Sequence, residues 1–126
     1  MTTKRDFVLF GLDKHNKVID YIRNDIVKCP FIMDIELIIS EAVSNAFIHG
    51  NQKDVSKPIY VRYKNNGKQI VLEIEDCGPG YSNVIIPKEI SDDDLLNEGG
   101  RGLFLISCIA DEIIFFQRTI IIKKNI

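Results

Sequence analysis

The stretch Ile35-Glu36-Leu37-Ile38-Ile39-Ser40-Glu41-Ala42-Val43-Ser44-Asn45-Ala46-Phe47-Ile48-His49-Gly50 constrains the fold of this chain more than any other. Its apolar residues follow a helical period and leave room for only one polar line. Glu41, Asn45 and His49 recur at i, i+4 and i+8, so they share a helical face. Ile38, Ile39, Ala42, Val43, Ala46 and Phe47 take the flanks that turn to a core. Polar groups removed from water cost free energy unless they are bonded. The line of carboxylate, amide and imidazole is therefore either the wet side of the helix or one wall of a site. Gly50 suits the residue just past the helix end, where left-handed backbone favours glycine.

So apolar a helix must be covered by other layers, and the composition supplies them. The 126 residues are 45% hydrophobic and 27% charged, as expected for one domain over 1–126 with a core of ordinary size. A formal net charge of -2 gives no general attraction to nucleic acid or an anionic membrane. No apolar run is long enough to span a bilayer, and Met1 to Asp6 lacks the apolar centre of a signal peptide. Cys29, Cys77 and Cys108 lie far apart with no CxxC, which fits neither a disulfide framework nor a zinc site. A soluble, cytoplasmic protein is expected.

Before the polar-lined helix, Phe7 to Leu12 reads as a strand. Asp13 or Asn16 can cap a helix whose stripe is Val18, Ile19, Ile22, Ile26 and Val27. Cys29-Pro30 closes it, because the residue before proline is pushed out of helical backbone. The second helix runs from Met33 or Asp34 to His49, and Asn51 to Pro58 reads as a loop. Ile59 to Lys64 and Ile70 to Glu75 are strands joined across Asn65-Asn66-Gly67-Lys68, where Asn-Gly is a hairpin signal.

Asp76-Cys77-Gly78-Pro79-Gly80 follows the second strand directly. Two glycines this close mark either a plain turn or a place where a ligand approaches the backbone. Tyr81 to Glu98, with its acidic run Asp92-Asp93-Asp94, is long for a connection and suits a lid or binding loop. The acidic run itself suits a solvated turn or the cap of a short helix at Leu95-Leu96. Glu98-Gly99-Gly100-Arg101-Gly102 then leads into an apolar helix from Leu103 to Ala110. Free N–H groups at such a helix start favour anions, although neither G-x-G-x-x-G nor a P-loop is present and a flexible hinge is the alternative. Asp111 to Phe116 and Thr119 to Lys124 finish the chain as strands around Gln117-Arg118.

The order of these pieces is more telling than any one of them. Glu-x-x-x-Asn on a helix, Asp-x-Gly-x-Gly at a strand end, a long loop and Gly-x-Gly at a helix start together resemble the GHKL ATPase superfamily, the Bergerat fold. Ser40 to Gly50, and Gly99-Gly100-Arg101-Gly102-Leu103-Phe104-Leu105-Ile106, are specifically similar to the anti-sigma-factor serine/threonine kinases of the RsbW and SpoIIAB type. The resemblance runs from the first strand to the last. It implies an α/β (α+β) two-layer sandwich, with a mixed, mainly antiparallel sheet covered on one face by three main helices.

The resemblance also implies roles. Asn45 would coordinate Mg²⁺, and Glu41 would activate the attacking hydroxyl or water. Asp76 would accept a hydrogen bond from the adenine amino group of ATP, with Gly78 and Gly80 letting the backbone approach the base. Gly100, Arg101, Gly102 and Leu103 would wrap the phosphates under a lid at about 81–98. A salt bridge from Arg101 to Glu98 or to the acidic lid is the alternative for that cation. His49 would support the pocket or the ribose side. One helical turn, about 6 Å, separates Glu41 from Asn45, so a base can sit beside a metal without ligating it.

The implied function is an ATP-dependent serine/threonine kinase acting as an anti-sigma factor. It would hold a sigma factor inactive and phosphorylate a STAS-domain antagonist on serine, with a possible homodimer. The rivals are an ATPase or histidine-kinase catalytic domain, a partner-switching relative such as a phosphatase, and a module whose nucleotide site is only structural. Against the histidine-kinase rival, no helical dimerisation segment with a phosphorylatable histidine stands ahead of the first strand. The chain departs from the family at Gln117-Arg118, where relatives commonly carry a glycine-containing turn, and in its compact lid.

Overall fold

Alternation of apolar and polar residues lays down the sheet. Ile59, Val61 and Tyr63 on one strand, and Ile70, Leu72 and Ile74 on the next, are all buried. The residues between them belong to the opposite face by the two-residue period of a strand. A computed structural model describes residues 2–12, 15–80 and 98–126, with the backbone alone for 98–101. Its elements are β1 (Thr3–Phe10), α1 (His15–Asp25), α2 (Ile32–Asn45), a π turn (Ala46–Gly50), β2 (Pro58–Asn65), β3 (Gln69–Glu75), α3 (Glu98–Ile109), β4 (Glu112–Phe116) and β5 (Thr119–Asn125).

The strands form one five-stranded sheet in the order β1-β2-β3-β5-β4. Every pairing among the described strands is antiparallel. Val18, Ile19 and Ile22 of α1 share a single core with Ile35, Ile38, Ile39, Ala42 and Val43 of α2 and with Leu103 and Ile106 of α3. Ile59, Val61, Leu72, Ile74, Ile120 and Ile122 complete it from the sheet. The expected two-layer sandwich is thus present, with helices on one face of an antiparallel sheet. Each fully buried isoleucine contributes roughly 1.5–3 kcal/mol of transfer free energy.

Several boundaries differ from the sequence reading. β1 starts at Thr3, because its polar half, Lys4, Arg5 and Asp6, pairs in register with Lys64, Tyr63 and Arg62 of β2. As an edge strand it tolerates charge, and charge there also discourages pairing with another chain. It stops before Gly11, whose φ of +75° turns the chain. Val27 is 71% exposed, because α1 has ended at Asp25 and the helical period no longer applies. α3 begins at Glu98, so the glycine-rich segment forms its first turns instead of leading into it. The Asp13 cap, the lid at about 81–98 apart from Glu98, and the acidic run within it lie outside the described residues.

The β4–β5 hairpin explains the departure at Gln117-Arg118. Phe116 pairs with Thr119, leaving a two-residue loop, and Gln117 holds a φ of +54°. A side chain there crowds the following carbonyl, at a cost of roughly 1–2 kcal/mol, which glycine escapes.

A polar cluster ties β1, α1 and β2 together. The Asp25 carboxylate accepts from Tyr63 Oη at 2.5 Å, Asn65 Nδ2 at 3.0 Å and Thr3 Oγ1 at 3.2 Å. Burial alone pushes the Asp25 pKa up, but the hydrogen bonds from Tyr63, Asn65 and Thr3 outweigh it and leave the carboxyl below its usual range. Burial and then the bond to Asp25 push the Tyr63 phenol well above its usual value.

Two measurements check these points. Asp25→Ala strands the donors of Tyr63 and Asn65, so urea unfolding at neutral pH is expected to show a loss of about 2 kcal/mol. Because the folded pKa lies below the unfolded one, the Asp25 contribution is complete above the ordinary aspartate value and fades as pH falls through the folded value. The gap between wild type and Asp25→Ala should therefore narrow in acid. Gln117→Gly is expected to stabilise the fold by about 0.5–1 kcal/mol, read by thermal unfolding.

Candidate functional site

Helix α2 carries two of the candidate groups on one side. Glu41 and Asn45 are both half-buried one turn apart. Among the described residues neither side chain has a hydrogen-bond or ion-pair partner, and no buried side-chain polar atom is left stranded. A carboxylate and an amide in an apolar helix therefore keep open polar atoms, which suits groups waiting for a ligand.

Gly102 brings α3 directly over Glu41. A Cβ at Gly102 would lie 3.0 Å from Glu41 Oε2 and 3.9 Å from its main-chain oxygen. The glycine lets the start of α3 approach the carboxylate, and that start presents main-chain N–H groups without intrahelical partners. Gly100 and Arg101 sit in the same first turns. The Arg101 side chain, with both readings of it, lies outside the described residues. Leu103 is 8% exposed and packs in the core, so its main chain alone is left for a ligand.

The second group forms where the end of this helix meets the end of β3. Asp76 is 4% exposed and its Oδ1 accepts from Gly78 N at 2.7 Å. Its own N–H donates to Arg118 O at 3.1 Å, which fixes it to the β4–β5 hairpin. A Cβ on Gly50 would stand 2.2 Å from Asp76 Cγ and Oδ2. A Cβ on Gly78 would stand 2.6 Å from Gly50 O. Only glycine permits these approaches. Gly80 holds a φ of +100°, with Gln117 O 2.9 Å from where a Cβ would be.

Two expectations change here. Gly50 does not adopt the left-handed cap conformation; the turn away from the helix falls on Gln52 and Lys53, with φ of 53° and 62°. What requires glycine at 50 is the carboxylate beside it. His49 leaves the polar line, because the helix widens before reaching it. Asn51 N bonds Ala46 O at 2.8 Å, an i→i+5 closure that breaks the 3.6-residue period. His49 is exposed, whereas Glu41 and Asn45 are half-buried.

One residue of this neighbourhood escaped the sequence reading. Asn51 is 0% exposed. Its Oδ1 accepts from Cys77 N at 2.7 Å, and its Nδ2 donates to Lys57 O at 3.1 Å and Pro58 O at 3.2 Å. An asparagine at the head of a polar loop carries no sign of this burial.

The residues present fit a magnesium nucleotide. Mg²⁺ takes oxygen ligands, keeps several waters and relies on substrate phosphates, so one amide oxygen from Asn45 is a sufficient protein ligand. Asp76 offers a carboxylate held beside glycine backbone. The described residues hold no group of three or more His, Cys, Asp or Glu side chains suited to a metal.

Comparison with known proteins places the chain among ATPase domains. The family model described as histidine kinase-like ATPase domain matches residues 17–121. The chain is 29% identical over 89 residues to the anti-sigma F factor of Anoxybacillus flavithermus, which covers 69% of this chain and 61% of that protein. It is 29% identical over 101 residues to the anti-sigma F factor of Clostridium perfringens, covering 75% and 72% respectively. It is 27% identical over 88 residues to the serine-protein kinase RsbW of Listeria innocua, covering 65% and 56%. The match thus spans less than two thirds of the length of the first and third of these relatives. None of the described helices is long and apolar enough to cross a membrane.

The Gly50–Asp76 contact is directly testable. Gly50→Ala must displace the Asp76 carboxylate or the helix end, and a loss of roughly 1–3 kcal/mol is expected in urea unfolding.

Proposed function

This chain belongs to the histidine kinase-like ATPase domain family, is of the GHKL type and resembles the anti-sigma-factor kinases, and from that membership we propose that it is an ATP-dependent serine/threonine kinase. Its partners in this proposal are a sigma factor, which it holds inactive, and a STAS-domain antagonist, which it phosphorylates on serine. Two of the matched relatives carry the name anti-sigma F factor and a third is named a serine-protein kinase. A cytoplasmic location and a homodimer belong to the same proposal.

The single observation that carries the kinase reading is the open Glu41 carboxylate under Gly102, one turn ahead of Asn45. Phosphoryl transfer asks a protein for positioning and charge compensation more than for covalent chemistry. In this proposal Glu41 orients the incoming serine hydroxyl and accepts its proton. Asn45 holds Mg²⁺, and Asp76 takes the adenine amino group over Gly78 and Gly80. The glycine-rich first turns of α3, at Gly100, Arg101 and Gly102, face the phosphates. Magnesium ATP, when bound, supplies the transferable phosphoryl group with its negative charge partly neutralised. His49, exposed and off the polar line, takes no part in the chemistry.

Two substitutions separate the roles. Glu41→Ala is expected to slow transfer of radiolabelled phosphate to a STAS-domain serine by about 10²-fold or more while ATP affinity is kept. Asn45→Ala is expected to weaken magnesium-dependent ATP binding itself, read by calorimetry. Unchanged transfer in Glu41→Ala removes Glu41 as the base. A wild-type protein that binds ATP and labels no STAS partner is a nucleotide-binding module instead of a kinase.

A further inference from the structure

We infer that Asn51 is a positioning residue for adenine recognition, setting the orientation of Asp76 through the Cys77 amide and thereby the preference for adenine over other bases. This rests on the reading of Asp76 given above and adds a residue to it. Asn51 lies beyond the helix that carries Glu41 and Asn45, yet side chain and main chain together reach three separate parts of the chain. Its two amide hydrogens go to Lys57 O and Pro58 O at the start of β2. Its oxygen takes Cys77 N, the amide immediately after Asp76. Its own N–H closes the π turn on Ala46 O, one residue past Asn45.

Asparagine is the side chain this position needs. Both of its N–H donors and its carbonyl oxygen are used, at full burial. An ionised aspartate would set a charge against two carbonyl oxygens, and an apolar residue would strand all three main-chain partners. The amide therefore fixes the distance between the helix end and the Asp76-Cys77-Gly78 turn. Gly50 and Gly78 have no side chains to hold that turn, since each must let Asp76 or backbone come close. Asn51 supplies the rigidity that the glycines give up. Base choice is the property that depends on it, because an acceptor aimed at the adenine amino group discriminates only while its orientation is held.

The test compares binding of ATP and of inosine triphosphate, which carries a keto oxygen in place of the amino group. Magnesium is held fixed, and wild type, Asn51→Ala and Asp25→Ala are measured. Asp25→Ala loosens the fold at the β1–α1–β2 cluster, away from Asp76, and serves as the control for stability alone. Wild type and Asp25→Ala are expected to prefer ATP by about 10-fold or more. In Asn51→Ala that ratio is expected to fall at least about fivefold, with ATP affinity dropping and inosine triphosphate affinity nearly unchanged. Equal loss of both affinities in Asn51→Ala, with the ratio intact, overturns the inference and leaves Asn51 a structural residue. A wild type with no preference removes the adenine role of Asp76 itself, and the inference with it. Should Asn51→Ala not fold, hydrogen exchange of the Cys77 amide in the wild type decides. Protection in the nucleotide-free protein is required, and exchange at the rate of an open loop overturns the inference.

Discussion

A carboxylate buried to 4% exposure sets the terms for everything around it. Asp76 must find hydrogen-bond partners, because a polar group out of water is costly unless bonds replace the lost hydration. Gly78 N provides one of these bonds, and the Asp76 main chain is itself held by Arg118 O. The approach of the π turn then leaves no volume for a side chain at Gly50 or Gly78. Three separate stretches meet there: the π turn at Gly50, the turn after β3 and the β4–β5 hairpin. An acidic group is kept here at the expense of local packing freedom.

The same helix joins this acidic end to the Glu41 and Asn45 end. Its other sides are committed to the core through Ile35, Ile38, Ile39, Ala42 and Val43, so it cannot rotate or shift without loss of packing. Rigidity of that kind holds the base candidate and the metal-ligand candidate in fixed relation to the adenine candidate. The change from α to π bonding falls between Asn45 and Asn51, where one end of the helix hands over to the other. Such bulges concentrate at functional sites because they let a helix keep two registers at once.

The fold was legible in the sequence wherever a face is buried. Ile59, Val61 and Tyr63, and the α2 positions 35, 38, 39, 42 and 43, repeat at the periods their elements need, and the structure buries them all. Where burial is one-sided or absent, that signal fades. The polar half of β1 carries no apolar period, because Lys4, Arg5 and Asp6 sit on an edge strand whose hydrogen bonds to β2 do not depend on apolar side chains. Val27 is exposed although it continues the apolar stripe of α1, because the helix has already stopped. The turn at Gln117 shows the converse. A departure seen in the sequence proved to be a real conformational cost, with left-handed backbone on a residue that has a side chain.

The sequence alone determined the order of the motifs, the apolar periods and the spacing of Glu41 from Asn45. These are local properties, fixed by helix and strand geometry and by side-chain chemistry. Tertiary structure alone decided that Gly50 is required by Asp76, that Gly102 rests on Glu41, and that Asn51 is buried with its amide hydrogens and carbonyl oxygen bonded. It also decided that His49 leaves the line that its spacing promised. Each of these depends on the approach of segments far apart in the chain. No local period encodes such an approach, because the distance between two backbones is set by everything packed between and around them.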